Sequence, residues 1–191
     1  MSAVTAGRQM IAKEFIALPE PPFGRPRLML VEGELVVNQP GALHGHVQTN
    51  LLLAIETWAR AAPERGWAVF PRDVGIDDRN VYAPDVLWYS HDRVPDPLSP
   101  APYTVPDLAI EVRSPSTWRY DIGAKKAGYE RHGLPELWLV DTESATVLVY
   151  RRSSPESRGF DIALEISEPE QLRSPLLPGF TLSLTEVFRL P

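Results

Sequence analysis

The stretch PDLAIEVRSPST, residues 106–117, decides the fold class of this chain. Its centre, from Leu108 to Val112, is apolar at every position except Glu111, and a short apolar run of this kind predicts a strand buried on both faces. The Ser-Pro-Ser-Thr segment that follows breaks the strand. The sequence therefore places one carboxylate inside the strand that is best suited to the middle of a sheet.

The residues after this strand indicate how the sheet is connected. A helix is predicted from about Asp121 to His132, and Gly133 supplies the left-handed stop that commonly ends a helix. A further strand is predicted from Glu136 to Val140. Because a helix between two strands implies a crossover, we predict an α/β (α+β) fold with a mixed central sheet flanked by helices.

The remaining elements extend this layout in both directions. A β-hairpin is predicted around Glu32-Gly33-Glu34, and the spacing of apolar residues predicts a helix over 43–62. Further predictions are single strands over 67–76 and 81–89, strands over 146–150 and 160–166, and a short helix over 184–188. Residues 1–26, with prolines at 19, 21, 22 and 26, are predicted to form a partly irregular arm in front of one domain over 27–191.

Composition limits the possible functions. The chain has 191 residues, 43% of them hydrophobic and 23% charged, which is typical of a globular domain. The absence of cysteine excludes disulfides and thiolate metal sites and leaves oxygen and imidazole ligands. Because the net charge is −6, any nucleic-acid binding must depend on a local positive patch. No membrane-length apolar run and no leader-like segment is visible, so we expect a cytoplasmic protein without membrane contact.

Two acids, Asp85 and Glu111, lie in segments that are otherwise suited to burial. A buried carboxylate is strongly unfavourable unless it is paired or ligates a cation. One interpretation is an ion pair with Arg113 or Arg119, or an edge position that faces water. The other is that the two acids share a cation.

The helix after Glu111 carries Asp121, Lys125 and Tyr129 on one face, four residues apart. Taken alone, this pattern is more typical of a solvated face with a surface ion pair. Combined with carboxylates on neighbouring strands, it matches a metal-dependent phosphodiesterase. Carboxylates bind a hard cation such as Mg²⁺, and an ammonium can position a water or stabilise charge on a phosphoryl group.

At this point the sequence resembles the Uma-type family of bacterial restriction-endonuclease-like proteins, which is placed in the PD-(D/E)XK nuclease superfamily. The resemblance is carried by PDVL at 84–87, PDLAIEVRSPST at 106–117, Lys125 with Tyr129, and GLPELWLVD at 133–141. Further matches are EGEL at 32–35, His44-Gly45, DDRNV at 77–81 and SPLLPG at 174–179. It spans about residues 27–188, and the superfamily core of a helix, three strands, a helix and a strand agrees with the predicted layout.

The resemblance implies a site in which Asp85 and Glu111 hold Mg²⁺, or Mn²⁺ as a substitute, with help from the backbone carbonyl of Val112. The superfamily pattern has a lysine two residues after the second acid, where this chain has Arg113. The resemblance places the functional cation on the following helix, at Lys125, with Arg113 as the alternative. Lys125 would orient the attacking water and stabilise the developing charge.

Three other positions are candidates for the active-site cleft, namely Glu34, His44 and Tyr129. For Glu34 the end of a hairpin is an equally simple role, and for His44 a hydrogen bond near a helix start.

The function implied by the resemblance is a divalent-metal-dependent DNA endonuclease that hydrolyses phosphodiester bonds. One alternative is a catalytically weak nuclease-like domain that binds DNA or protein, which the acidic charge and Arg113 favour. A phosphoesterase for small nucleotides is a third possibility. Cutting both strands of a duplex with one site per chain predicts a homodimer or a higher even-numbered oligomer.

Overall fold

The computed structural model describes residues 9–19 and 27–190 of the chain. The strands are Arg27–Val31 (β1), Glu34–Asn38 (β2), Trp67–Val69 (β3), Val74–Asp77 (β4), Asn80–Tyr82 (β5), Val86–Tyr89 (β6), Leu108–Val112 (β7), Glu136–Asp141 (β8), Thr146–Arg151 (β9), Ile162–Ile166 (β10), Gln171–Leu172 (β11) and Leu182–Ser183 (β12). The helices are Ala12–Ile16 (α1), Ala42–Arg60 (α2), Trp118–Tyr120 (α3), Lys126–Arg131 (α4) and Leu184–Phe188 (α5), with a 3₁₀ turn at His91–Arg93 and a π turn at Asp121–Lys125. No helix among these residues is both long and apolar enough to cross a membrane.

A six-stranded mixed sheet forms the centre of the molecule, with strand order β10-β9-β8-β7-β6-β3. β7 and β8 pair in parallel, and the helical segment from Trp118 to Arg131 makes the crossover between them. The other neighbours in this sheet are antiparallel. The predicted α/β class with a mixed sheet is therefore confirmed, and β7 is an interior strand rather than an edge.

A second sheet, in the order β2-β1-β5-β4, contains the predicted hairpin. Met29, Val31 and Val36 of this sheet pack with Leu87, Ala109 and Leu139 of the central sheet in one apolar cluster. The other face of the central sheet packs against α2, whose buried residues Val47, Leu51, Leu52, Ile55 and Ala59 form the predicted helical stripe. β7 is thus covered on both sides, which is why its sequence is an almost continuous apolar run.

The prediction of one strand over 81–89 is wrong. The chain forms β5 in the second sheet and β6 in the central sheet, with Ala83-Pro84-Asp85 between them. Pro84 has no N–H to donate to a ladder, so strand pairing stops there and the chain changes sheets. The predicted strand over 67–76 also divides, with Pro71 between β3 and β4, which lie in different sheets.

The helical crossover begins earlier than predicted, at Trp118, and is not α-helical throughout. α3 leads into the π turn at Asp121–Lys125, and α4 then runs to Arg131. Gly133 has φ of 81°, which confirms it as the left-handed stop.

Part of the predicted N-terminal arm is ordered against the second sheet. α1 lies within it, and Phe15 packs on Leu30 and Val81. Residues 1–8 and 20–26 of the arm lie outside the described residues, and the domain boundary at 27 stays a prediction.

Candidate active site

Asp85 lies where the chain crosses from β5 to β6. Its backbone is fixed on both sides, because its N–H donates to the Ile110 carbonyl at 2.9 Å and its own carbonyl accepts from Gln48 Nε2 at 2.8 Å. Its side chain is buried, and Oδ2 accepts from the Val112 N–H at 2.8 Å and contacts His44 Nε2 at 3.1 Å. The break at Pro84 therefore brings Asp85 beside the last residue of β7.

Glu111 lies one residue before the end of β7, and its side chain faces the helical crossover. Oε1 accepts from the Tyr129 hydroxyl at 2.8 Å, and Oε2 lies 2.7 Å from Lys125 Nζ. Glu111 is only 3% exposed, so both partners are needed to compensate for its desolvation. The interpretation of Glu111 as a water-facing edge residue, or as a partner of Arg113 or Arg119, is wrong because its ion-pair partner is Lys125.

Lys125 lies between two carboxylates. Its Nζ is 2.7 Å from Glu111 Oε2 and also 2.7 Å from Asp121 Oδ1. Lys125 and Asp121 are each 1% exposed. The interpretation of this i,i+4 pair as a solvated surface pair is therefore wrong, since the pair faces the sheet.

Tyr129 reaches Glu111 because α4 packs closely on the second sheet. Its ring meets the Tyr82 ring edge to face at 5.1 Å between centroids. Gly128 makes this approach possible, since a Cβ at that position would collide with the Tyr82 hydroxyl. Tyr129 is fully buried, so it serves this site only through its hydroxyl.

Arg113 lies just after β7, and its guanidinium contacts carboxylates other than Glu111. Its guanidinium makes two hydrogen bonds to Asp141, at 2.9 and 3.0 Å, and lies 2.7 Å from Glu143. It also stacks over the Trp118 ring, 5.4 Å from its centroid. Arg113 is thus engaged with β8 and the turn that follows, whereas Lys125 contacts Glu111 directly.

The other two sequence candidates differ in position. His44, on the first turn of α2, contacts Asp85, and its second ring nitrogen, Nδ1, is buried without a hydrogen-bond partner within residues 9–19 and 27–190. Glu34 is exposed on β2 and accepts a hydrogen bond from Tyr120 at 3.2 Å. His44 therefore contacts Asp85 directly, whereas Glu34 is in contact with Tyr120.

Asp85, Glu111 and Lys125 form a cluster with two residues, Asp121 and Thr117, that were not among the sequence candidates for the site. Asp121 was recognised only as one member of a helix face, and its position four residues before Lys125, which it contacts, was the available signal. Thr117, which donates to Asp121 Oδ2 at 3.0 Å, gave no signal beyond its place in the strand-breaking segment.

The electrostatics of the cluster favour an additional positive charge. Glu111 and Asp121 share one ammonium, that of Lys125, and Asp85 is a third buried carboxylate beside them, in contact with His44. Burial raises the pKa of Glu111 to about 8, opposed by Lys125 and reinforced by Asp121 and Asp85. Burial likewise raises the pKa of Asp121. Burial alone would lower the pKa of Lys125, but Asp121 and Glu111 outweigh it and hold that pKa above its usual value.

We expect the stability of the metal-free protein to fall as the pH rises from about 5 to 8. Because the pKa of Glu111 is raised to about 8, the folded state keeps a proton that the unfolded state has already released, and this contribution disappears as the pH passes through the folded pKa. The melting temperature in a chelator, measured across this range, checks the prediction. Glu111→Gln, which resembles the protonated carboxyl, should remove most of the decline, and an unchanged decline in this variant would contradict it.

The oxygen atoms at Asp85 and Glu111 fit a hard divalent cation. Among the described residues, hydrogen bonds to the Asp85 carboxylate reach Oδ2 alone, which leaves Oδ1 available. Each oxygen of Glu111 has one donor and therefore a second lone pair. In a strand, the N–H and C=O of one residue point to the same side, so the Val112 carbonyl is directed toward Asp85, as its N–H is.

Side chains alone do not complete such a coordination sphere. Within the described part of the chain, no three or more His, Cys, Asp or Glu side chains are grouped to hold a metal ion. Two carboxylates, one carbonyl and several waters are, however, a common arrangement for Mg²⁺, which retains much of its hydration shell.

Comparison with known proteins identifies the family of this chain. Residues 12–185 match the model of the Uma2 family, which is described as "Putative restriction endonuclease". A solved structure of a "putative nuclease belonging to DUF820" from Anabaena variabilis ATCC 29413 is similar in fold, with a TM-score of 0.77 and 22% identity over 94% of this chain and 97% of that one. No curated protein matches significantly. The resemblance inferred from the sequence motifs is confirmed: this chain belongs to the Uma2 family of restriction-endonuclease-like proteins.

Proposed function

We propose that this protein is a divalent-metal-dependent DNA endonuclease with Asp85, Glu111 and Lys125 as its catalytic residues. The observation that carries the proposal is the buried cluster at the end of β7, in which Lys125 Nζ lies 2.7 Å from Glu111 beside the Asp85 carboxylate. Two carboxylates on one ammonium, with the buried Asp85 as a third carboxylate nearby, are poorly balanced for a structural ion pair and well suited to hold a divalent cation. Membership of a restriction-endonuclease-like family supports a phosphodiester as the substrate.

Each residue has a distinct part in this proposal. Asp85 Oδ1, Glu111 and the Val112 carbonyl would hold Mg²⁺ or Mn²⁺, which supplies a Lewis acid and lowers the pKa of water. Tyr129 fixes Glu111 through the 2.8 Å hydrogen bond to Oε1. Lys125 orients the attacking water and stabilises the negative charge that develops on the phosphoryl oxygens.

DNA must be engaged by cations outside this cluster. Arg113 and Lys125 are both occupied by carboxylates, so neither is available for general backbone contacts. Arg119 and Arg131 are exposed on or beside the helical crossover, and Lys126 is half-buried there. Because the whole chain has a net charge of −6, binding should be weak and should fall steeply with added salt.

We also propose an even-numbered assembly, because duplex cleavage requires two sites and one chain provides one. Light scattering at micromolar concentration should give the mass of a homodimer or of a higher even-numbered oligomer. A mass of 21.4 kDa alone, that of the single chain, would contradict this.

The second candidate is a nuclease-like domain that binds DNA or protein with little catalysis. The degree of burial favours it, since Asp85, Glu111 and Lys125 are 4%, 3% and 1% exposed and a duplex phosphate needs room to reach them.

Cleavage of supercoiled plasmid at low salt, with Mg²⁺ and Mn²⁺ tested separately, distinguishes the two candidates. We expect nicked and linear products that a chelator abolishes and that Glu111→Gln does not form. Binding of DNA or of a protein partner without any cleavage would support the second candidate instead.

A further inference from the structure

Asp121 is the one carboxylate of the cluster that the proposed function leaves without a role. It is 1% exposed, and its ion-pair partner among the residues that the structure describes is Lys125, at 2.7 Å. We propose that Asp121 is a positioning residue, and that it acts together with the π turn to hold the Lys125 ammonium in its place beside Glu111. The inference deepens the proposed function and rests on it for its catalytic consequence.

The two oxygens of Asp121 have separate partners. Oδ1 contacts Lys125 Nζ, and Oδ2 accepts from the Thr117 hydroxyl at 3.0 Å. Thr117 in turn contacts the Ser114 hydroxyl at 2.8 Å, and Ser114 reaches Asn38 of β2 at 3.4 Å. The hydrogen bond from Thr117 therefore fixes the orientation of the Asp121 carboxylate, so that Oδ1 has one defined position relative to the ammonium.

The π turn aligns this pair with the rest of the cluster. In an α-helix, residues four apart drift by about 40° around the axis, so two such steps give about 80°. A π turn contains more residues than an α turn, which reverses the sign of the drift for the step from Asp121 to Lys125. The following step to Tyr129 is α-helical. The two drifts largely cancel, so all three side chains face β7.

Lys125 needs an anchor other than Glu111. Glu111 Oε2, which now contacts Nζ, is also an oxygen that would be offered to a cation shared with Asp85. Asp121 has no such competing duty, because its other oxygen is committed to Thr117. It can therefore hold the ammonium at the same place whether or not Glu111 is engaged by a cation, and a displacement of about 1 Å at a reacting group is enough to slow a reaction about a hundredfold.

The kinetic test uses Asp121→Ala, which removes the acceptor, and Asp121→Asn, which keeps an uncharged acceptor in the same place. We expect Asp121→Ala to lower kcat for DNA cleavage about a hundredfold with KM nearly unchanged, and Asp121→Asn to recover part of the loss. In a Lys125→Met background, Asp121→Ala should cause no further loss. The matched control is Asp107→Asn. Like Asp121, Asp107 is a buried aspartate in an ion pair, but its partner is Arg93 and it lies at the opposite end of β7.

Two kinetic results would overturn the inference. One is an additional loss of similar size when Asp121→Ala is combined with Lys125→Met, because Asp121 would then act independently of Lys125. The other is an effect of Asp121→Ala no larger than that of Asp107→Asn.

A crystal structure of the Asp121→Ala protein decides the positioning claim without any activity. Lys125 Nζ should move by more than about 1 Å or occupy several conformers, and an unmoved Nζ would overturn the inference. If the wild-type protein cleaves no DNA, the proposed function fails while this structural result still decides whether Asp121 positions Lys125. Thr117→Val, which preserves the charge of Asp121, provides a milder variant with a smaller shift in the same direction.

Discussion

Replacing Lys125 by methionine is expected to lower DNA cleavage by about a hundredfold or more, which corresponds to about 3 kcal/mol of transition-state stabilisation. Methionine keeps most of the length of a side chain that is 1% exposed, so the change removes the charge with little loss of packing. DNA affinity should change far less, because Lys125 is held by Glu111 and Asp121 and other cations must engage the DNA backbone. Initial rates on plasmid and on a duplex oligonucleotide, with Mg²⁺ and with Mn²⁺, measure the effect.

The neighbouring cations provide the controls for this result. Lys126 is the next residue along the helix, but its Nζ lies 4.4 Å above the Tyr150 ring, away from Glu111. Arg113 lies two residues after Glu111 and is held by Asp141 and Glu143. We expect Lys126→Met to leave the chemical step nearly unchanged, and Arg113→Ala to affect stability or binding more than the rate of cleavage. Full activity in Lys125→Met together with loss of cleavage in Arg113→Ala would contradict the assignment of Lys125.

Stability measurements must accompany these rates. Removal of the ammonium leaves Glu111 and Asp121 buried without their ionic partner, and loss of one member of a buried pair costs about 3–5 kcal/mol. The two carboxyls are expected to respond by taking up protons. Rates should therefore be compared at a temperature where all variants are folded.

The second large effect is the response of the melting temperature to divalent cations. With Mg²⁺ or Mn²⁺ at about a hundred times its Kd, the wild-type protein should gain about 2.7 kcal/mol of stability, or about 5–10 °C for a domain of this size. The physical reason is that the cation relieves repulsion between Asp85, Glu111 and Asp121, which Lys125 alone does not neutralise.

The same measurement on Glu111→Ala should show no comparable shift. Asp161→Asn is a suitable control, because Asp161 is a carboxylate on the surface that is held by Ser153 and Ser157 outside the cluster. It should keep the full wild-type shift. Equal shifts in the wild type and in Glu111→Ala would show that the cation binds elsewhere.

The sequence predicted the centre of the fold because burial there produces recognisable patterns of apolar residues along the chain. β7 is an interior strand covered on both faces, so its residues form an apolar run in which Glu111 stands out. α2 buries one stripe against the sheet and therefore shows helical spacing. The crossover between β7 and β8 followed from the helix between them.

The predictions that were wrong depend on contacts between distant parts of the chain. Whether Pro84 interrupts a strand or ends it depends on which sheets the flanking segments join, and residues 81–89 alone do not contain that information. The same i,i+4 spacing of Asp121 and Lys125 fits a surface pair and a buried pair equally well. Only the packing of the crossover against β7 makes them buried, and the π turn that aligns them has no distinctive local pattern.

Which cation contacts Glu111 also depends on contacts between distant residues. Strand alternation put Arg113 on the face of Glu111, but the strand ends at Val112, and Asp141 at the end of the parallel neighbour β8 binds the guanidinium at 2.9 Å. That partner lies 28 residues further along the chain. The spacing within β7 could not reveal it.

A crystal structure of the protein soaked in Mn²⁺ tests most directly whether Asp85 and Glu111 hold one divalent cation. We predict a strong anomalous peak roughly 2.0–2.5 Å from Asp85 Oδ1, from a Glu111 oxygen and from the Val112 carbonyl, with waters at the remaining positions. A soak that gives well-occupied Mn²⁺ elsewhere on the molecule and no peak between these two carboxylates would contradict the account.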